Sequence, residues 1–246
     1  MATYLYDGSF DGLASLLSVL IKSGTTPDGI DVEGSQENLL FSDSLFIDAD
    51  IIGGEKLTAW LERESPLAMN YVCAAFMSET TGFEMEIYRF LRTVIKQGFK
   101  ALNNYADDSV REIQNLHRDV FGERHRMLGL LRFAELSDGT FYAPFEPDHN
   151  IASIVAPHFS RRLASQNWII HDVGRNLGVA FRKDSGRWEL FNMELASALE
   201  YSENEKEYRA MWKRYYKEIA IPERKNPRCQ KRFMPVRYWK YLTEKN

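Results

Sequence analysis

The stretch that most restricts the fold runs from Leu128 to Phe191, where strand-like runs alternate with turn residues at close intervals. Leu128–Leu136 and Thr140–Phe145 read as two strands joined by Ser137-Asp138-Gly139. Asp and Gly there favour a tight reversal, because both tolerate the left-handed backbone that a hairpin turn needs. Asn150 is placed to cap a helix reaching Arg162. Trp168–Val173, Leu177–Arg182 and Arg187–Phe191 follow as three more strands, with turns at Gly174-Arg175-Asn176 and Asp184-Ser185-Gly186. This ββαβββ order predicts an antiparallel sheet packed with helices.

Upstream the pattern is helical. Tyr4-Leu5-Tyr6 reads as a short strand stopped by Asp7-Gly8, and Ser9 can cap a helix with Leu13, Leu16, Leu17, Leu20 and Ile21 on one face. A polar loop over 23–36 precedes a strand or hairpin from Leu39 to Ile47. Residues 55–80 are helical in pattern, with Pro66 in the first turn of a second helix. Phe83, Ile87, Phe90, Leu91, Val94 and Ile95 form another stripe, and Asp107–Phe121 a further helix with Val110, Ile113, His117 and Val120 facing inward. Glu203–Ile219 is a long helix before a Pro-interrupted basic tail. The expected class is α+β: an acidic, helix-rich region over 1–82, then a main α+β domain over 83–246.

Several functions are argued against. No apolar run approaches the roughly 18–20 residues that span a bilayer, and MATYLYDGSF lacks the charged start and apolar stretch of a secretory leader. Cys73 and Cys229, the two cysteines, suggest a reducing compartment and are too few to ligate an iron–sulfur cluster. A cytoplasmic protein with no membrane contact is expected. No G-x-x-x-x-G-K-[ST] or G-x-G-x-x-G loop occurs, and Gly53-Gly54 reads as a turn. His117 with His125, and His149 with His158, lack the spacing of a zinc site. Neither a metal nor a cofactor is expected.

The net charge of −4 conceals an asymmetry. Residues 1–86 carry 15 acidic side chains against three basic ones, whereas 209–241 carry 11 basic against two acidic. On the helix over 203–219, Tyr208, Met211, Trp212, Tyr215, Tyr216 and Ile219 share one face, whose periodicity predicts core packing. Lys206, Arg209, Lys213 and Lys217 occupy another face, with Arg214 at its edge. The tail adds Arg228, Lys231, Arg232, Arg237, Tyr238, Trp239 and Lys240. Guanidinium forks suit phosphate oxygens and flat rings suit unpaired bases, so this segment is the candidate nucleic-acid contact.

Two pairs are candidates for proton transfer: Asp148-His149 before a helix, and His171-Asp172 at a strand end. Arg132, Arg161, Arg162 and Arg175 could clamp a phosphate beside them. The competing structural reading has Asp148 starting the helix, Asp172 closing a turn, and the arginines pairing with the acidic N-terminal region. Cys229 sits among cations but has no histidine nearby in sequence to act as its base.

The stretch ERKNPRCQKRFMPVRYWKYL (223–242) closely resembles the C-terminal signature of a bacterial family of DNA metabolism or DNA repair proteins, whose main domain is known as domain of unknown function 4130. The resemblance continues through GERHRMLGLLRF (122–133), YAPFEPDHNI (142–151), HFSRRL (158–163) and WIIHDVGRN (168–176), and YDGSFDGL (6–13) is similar to the family's opening. It implies a setting in DNA maintenance, since relatives occur beside a radical-SAM DNA repair protein or are fused to a uracil-DNA-glycosylase-like domain. It assigns no catalytic residue. Three functions follow as expectations: a DNA-binding accessory factor with a catalytic partner, a glycosylase- or nuclease-like enzyme using Asp148, His149, His171 and Asp172, or a protein-interaction module.

Overall fold

A computed structural model describes residues 2–34, 44–46, 50–194 and 199–246. The chain forms two compact units, 1–121 and 122–246. The sequence break read at residue 82 falls inside the first of these. Among the described residues, no helix is long and apolar enough to cross a membrane.

The first unit opens with β1 (Thr3–Tyr6), α1 (Phe10–Ser23) and β2 (Gly29–Val32). β1 pairs in parallel with β2 and with β3 (Ser44–Phe46), giving the order β2-β1-β3. The rest of the Leu39–Ile47 run lies outside the described residues. Ser9 caps α1, its hydroxyl accepting from the Gly12 amide at 2.9 Å. The apolar face of α1 is buried with that of α4 (Phe83–Gln97), Leu13, Leu16, Leu17 and Leu20 joining Ile87, Phe90, Leu91 and Val94. Between them come α2 (Ile51–Glu64) and α3 (Pro66–Ser78), the latter capped by Ser65 with Pro66 at its start. Gly53 and Gly54 are not a turn as read from the sequence. They lie in the first turn of α2, and a Cβ on Gly54 would stand 2.9 Å from the Ser15 backbone nitrogen. Their missing side chains let α2 approach α1 closely. Val110, Ile113 and Val120 of α5 (Asp108–Leu130) are buried, with His117 half-buried and stacked on Phe121 at 4.4 Å.

The second unit contains a five-stranded sheet: β4 (Ala134–Glu135), β5 (Phe141–Phe145), β6 (Trp168–Asp172), β7 (Leu177–Arg182) and β8 (Arg187–Asn192), in sequence order across the sheet. The sheet is mixed, which corrects the expected antiparallel arrangement: β5 and β6 pair in parallel, the other neighbours antiparallel. The cause is α6 (Ala152–Arg162), which carries the chain back across the sheet so that β6 starts beside the start of β5. The two downstream hairpins turn where the sequence placed them, with Asn176 and Gly186 at φ 51° and 65°.

Two local readings are also corrected. Leu128–Leu136 is not one strand, because α5 continues unbroken through Gly122 to Leu130 and only Ala134–Glu135 pairs. Asn150 precedes rather than occupies the N-cap of α6, which is Ile151 and carries no side-chain cap bond. The basic tail is helical in pieces. After α7 (Glu203–Glu218), a 3-10 turn at Pro222–Arg224 leads to α8 (Pro227–Phe233) and 3-10 turns at Val236–Tyr241 and Thr243–Lys245. Asn226 caps α8 on the Cys229 amide at 3.0 Å. The core of this unit is Trp168, stacked on Phe181 at 5.2 Å and edge-on to Phe133 at 6.2 Å.

Candidate functional site

The parallel pair β5–β6 brings Phe145 beside Asp172 and Pro144 beside His171. The carboxyl ends of both strands and the start of α6 therefore meet, a location where α/β folds commonly place ligands. Here the side chains build a scaffold around the loop 146–149. Glu123, fully buried on α5, accepts from the backbone amides of Asp148 at 2.8 Å and His149 at 2.9 Å. It also accepts from the Tyr238 hydroxyl, and Arg237 lies 3.8 Å away. Arg237 pairs in turn with Asp148 at 2.5 Å. Arg175 donates to the carbonyls of Pro147 at 3.1 Å and Asp148 at 2.8 Å, and pairs with Asp172 at 3.0 Å. Glu146 accepts from Lys240 and, at 2.7 Å, from the Tyr241 hydroxyl, and these contacts hold its carboxyl below the usual carboxylate range.

The four residues read as proton-transfer candidates thus reach one end of the sheet and are occupied there. Asp172 is completely buried and its carboxylate accepts from the Arg175 amide at 3.2 Å, closing the turn. Burial raises its carboxyl above the ordinary value, with the Arg175 charge partly opposing. His171 is also buried. The Tyr142 hydroxyl, which burial pushes up to about 12, stays protonated and reaches His171 Nδ1 at 2.7 Å. The other ring nitrogen, Nε2, is buried without a well-formed hydrogen bond among the described residues. Burial lowers the His171 pKa, and the Met193 backbone only partly offsets this.

The unfolded chain takes up a proton on this histidine as the pH falls through about 6.5, while the folded chain resists it until lower pH. Stability at this group is therefore complete above that value and lost progressively below it. Thermal melting should show a smaller drop between pH 7.5 and 5.5 for His171→Gln than for the wild type. An equal drop would mean that other groups govern the acid limb.

The candidate phosphate-binding cations separate into engaged and free sets. Arg132 makes a two-armed pair with Glu244, at 2.7 and 3.2 Å, and Arg175 belongs to the scaffold. Both partners lie in the second unit, not in the acidic N-terminal region. Arg237 and Lys240 are paired as above, and the Tyr238 ring is buried, so it offers no face to a base while the segment is docked. Trp239 is half-buried, its indole N–H on the Met234 carbonyl at 2.9 Å. Arg161 and Arg162 are exposed in the last turn of α6. With burial and Arg124, they help hold His158 below its ordinary pKa. Arg228, Lys231 and Arg232 are exposed on α8, with no ion pair among the described residues.

The aromatic face of α7 reverses the expectation of core packing. Tyr208, Met211, Tyr215 and Ile219 are all more than half exposed and Trp212 is 38% exposed. On the basic face Arg209 pairs with Glu205 and Arg214 with Glu218, each at 2.7 Å, while Lys206, Lys213 and Lys217 are exposed with no ion pair among the described residues. Where α7 meets the last residues and the strand edge, two neighbouring hollows open, of about 350 Å³ and about 150 Å³. Arg132, Phe133, Arg209 and Thr243 line both; Tyr208 and Trp212 belong to the larger, and Lys213, Lys240 and Tyr241 to the smaller. Arg209 and Trp212 were visible as stripe positions in the sequence, but Phe133 and Thr243 carried no signal there. Among the described residues, no group of three or more His, Cys, Asp or Glu side chains is placed to hold a metal ion.

No curated protein and no solved structure matches the chain. The family model described as a domain of unknown function, DUF4130, matches residues 81–244, from the first residues before α4 to the end of the docked C-terminal segment. The match takes in both the Glu123 scaffold and the α7–α8 surface, and the chain belongs to the DUF4130 family.

Proposed function

We propose that the protein is a nucleic-acid-binding accessory factor of DNA metabolism or repair, acting in the cytoplasm beside a catalytic partner such as a radical-SAM repair protein. The observation that carries this reading is the set of exposed cations Lys206, Lys213 and Lys217 on α7 and Arg228, Lys231 and Arg232 on α8, free of ion pairs among the described residues and interleaved with the exposed rings of Tyr208, Tyr215 and Phe233. Cations without carboxylate partners are available to replace the counterions of a phosphate backbone, and exposed rings can stack on bases. The engagement of Asp148 and Asp172 in the scaffold, and the burial of His171 against Tyr142, favour binding over turnover.

The triple variant Arg228→Gln/Lys231→Gln/Arg232→Gln tests the reading by fluorescence anisotropy against single-stranded and duplex DNA across a salt series. Three lost phosphate contacts should make the slope of log affinity against log salt shallower by about 2–3. Affinity near 50 mM salt should fall at least about ten-fold. Unchanged affinity and slope would remove α8 from the interface. No binding by the wild type at low salt would leave the protein-interaction function in its place.

A further inference from the structure

We infer that the cleft between α7 and the C-terminal segment receives a single unpaired nucleobase of a bound strand, with Trp212 and Tyr208 as its stacking walls. This rests on the nucleic-acid-binding reading and gives it a preference, for single-stranded or locally opened DNA over intact duplex.

Trp212 is held in place for such a role. Its indole N–H donates to Glu244 at 2.9 Å, the same carboxylate that receives both arms of Arg132. The Glu244 side chain is 1% exposed; burial would raise its carboxyl, but the hydrogen bonds from Arg132 and Trp212 outweigh that and hold it low. The Arg132 guanidinium sits 5.5 Å from the centre of the Trp212 ring. An exposed aromatic ring fixed at its edge by a buried carboxylate loses little freedom on binding a ligand, which favours stacking.

The charges of the cleft point to a base and not to a phosphate. Arg132 and Arg209 are already neutralised, by Glu244 and Glu205, so the larger hollow offers flat rings and hydrogen-bonding edges with little net charge. Its volume of about 350 Å³ lies at the small end of the roughly 300–1,000 Å³ typical of ligand sites. Lys213, which has no ion pair among the described residues, lines the adjoining hollow, and a phosphate attached to the seated base finds its charge there. Bases inside a duplex are stacked on one another, and entry requires one to leave the stack at a free-energy cost that an unpaired base does not bear.

The test compares full-length wild type, Trp212→Leu and Tyr208→Ala for binding to a single-stranded oligonucleotide and to the corresponding duplex. Trp212→Leu removes the ring but also a bond to Glu244. Tyr208→Ala removes a 61% exposed ring from the larger hollow and leaves the Arg132–Glu244–Trp212 contacts in place. Wild type should prefer the single strand, and each variant should lose about five-fold or more of that affinity while holding the duplex as before, as expected for one lost base stack. Equal affinity for both forms, unchanged in the variants, would overturn the cleft and leave the cationic surface standing. Absence of binding to either oligonucleotide would overturn both.

Discussion

Replacing Glu123 with alanine is expected to cost the second unit about 3–5 kcal/mol, the range for removing one member of a buried, charged network. The carboxylate has no exposed surface and takes hydrogen bonds from two backbone amides and from Tyr238. Truncation leaves the buried Tyr238 hydroxyl and two part-buried backbone amides without their acceptor, and an unserved buried donor carries a desolvation penalty of about 1–3 kcal/mol. Glu123→Gln should fall between, because its amide oxygen still accepts while its NH2 group confronts another donor. Urea unfolding followed by tryptophan fluorescence measures this well, since Trp168, Trp188, Trp212 and Trp239 are four of the five tryptophans and all lie in the second unit. A double-mutant cycle with Tyr238→Phe should return a coupling above about 1 kcal/mol. Destabilisation below about 1 kcal/mol in Glu123→Ala would mean that water reaches the loop amides and the scaffold is looser than described.

Trp168→Ala should be comparably severe, with a loss of about 3–5 kcal/mol, the usual range for emptying a fully buried Trp site. Trp168 has no exposed surface, stacks on Phe181 and abuts Phe133. Trp168→Phe should behave differently. The indole N–H is buried without a hydrogen-bond partner among the described residues, so phenylalanine forfeits volume but also relieves an unserved donor, a cost of about 1–3 kcal/mol. The two nearly offset, and the net loss should stay below about 1.5 kcal/mol. If Trp168→Phe unfolds as readily as Trp168→Ala, the indole N–H has a hydrogen-bond partner in solution whose loss phenylalanine cannot offset.

The parts of the fold legible in the sequence are those set by local chemistry. Ser9, Ser65 with Pro66, and the turns at 174–176 and 184–186 act through their own backbone and nearest neighbours, and each defines its element. Parallel pairing of β5 with β6 was available in principle, since a helix inserted between two strands brings the chain back in the same direction. The hairpin signals on either side dominated the reading instead. The run after Met127 was ambiguous for a physical reason: a short apolar stretch satisfies helix and strand periodicity alike. Periodicity also identified the face of α7 without saying whether anything covers it, and Tyr208 and Tyr215 remain exposed. The candidate site was legible in its cations and rings but not in its wiring. Nothing local marks Glu123 or Glu244 as the carboxylates that bind Tyr238 and Arg132, because those partners are 115 and 112 residues away.

Those separations also bear on time. Lys240 and Glu146 are 94 residues apart, so the contacts fastening the C-terminal segment close the longest loops in the second unit. Closing such loops is entropically costly and is rewarded only once the sheet exists to receive them. Docking of the segment is accordingly expected to follow the rate-limiting barrier, which chevron kinetics of Glu146→Ala would test. Interactions absent from a transition state govern escape from the native basin and leave the speed of entry nearly untouched. The Glu123, Glu146 and Glu244 contacts therefore act as a latch on the lifetime of the folded unit, whose loss quickens unfolding while refolding keeps its pace.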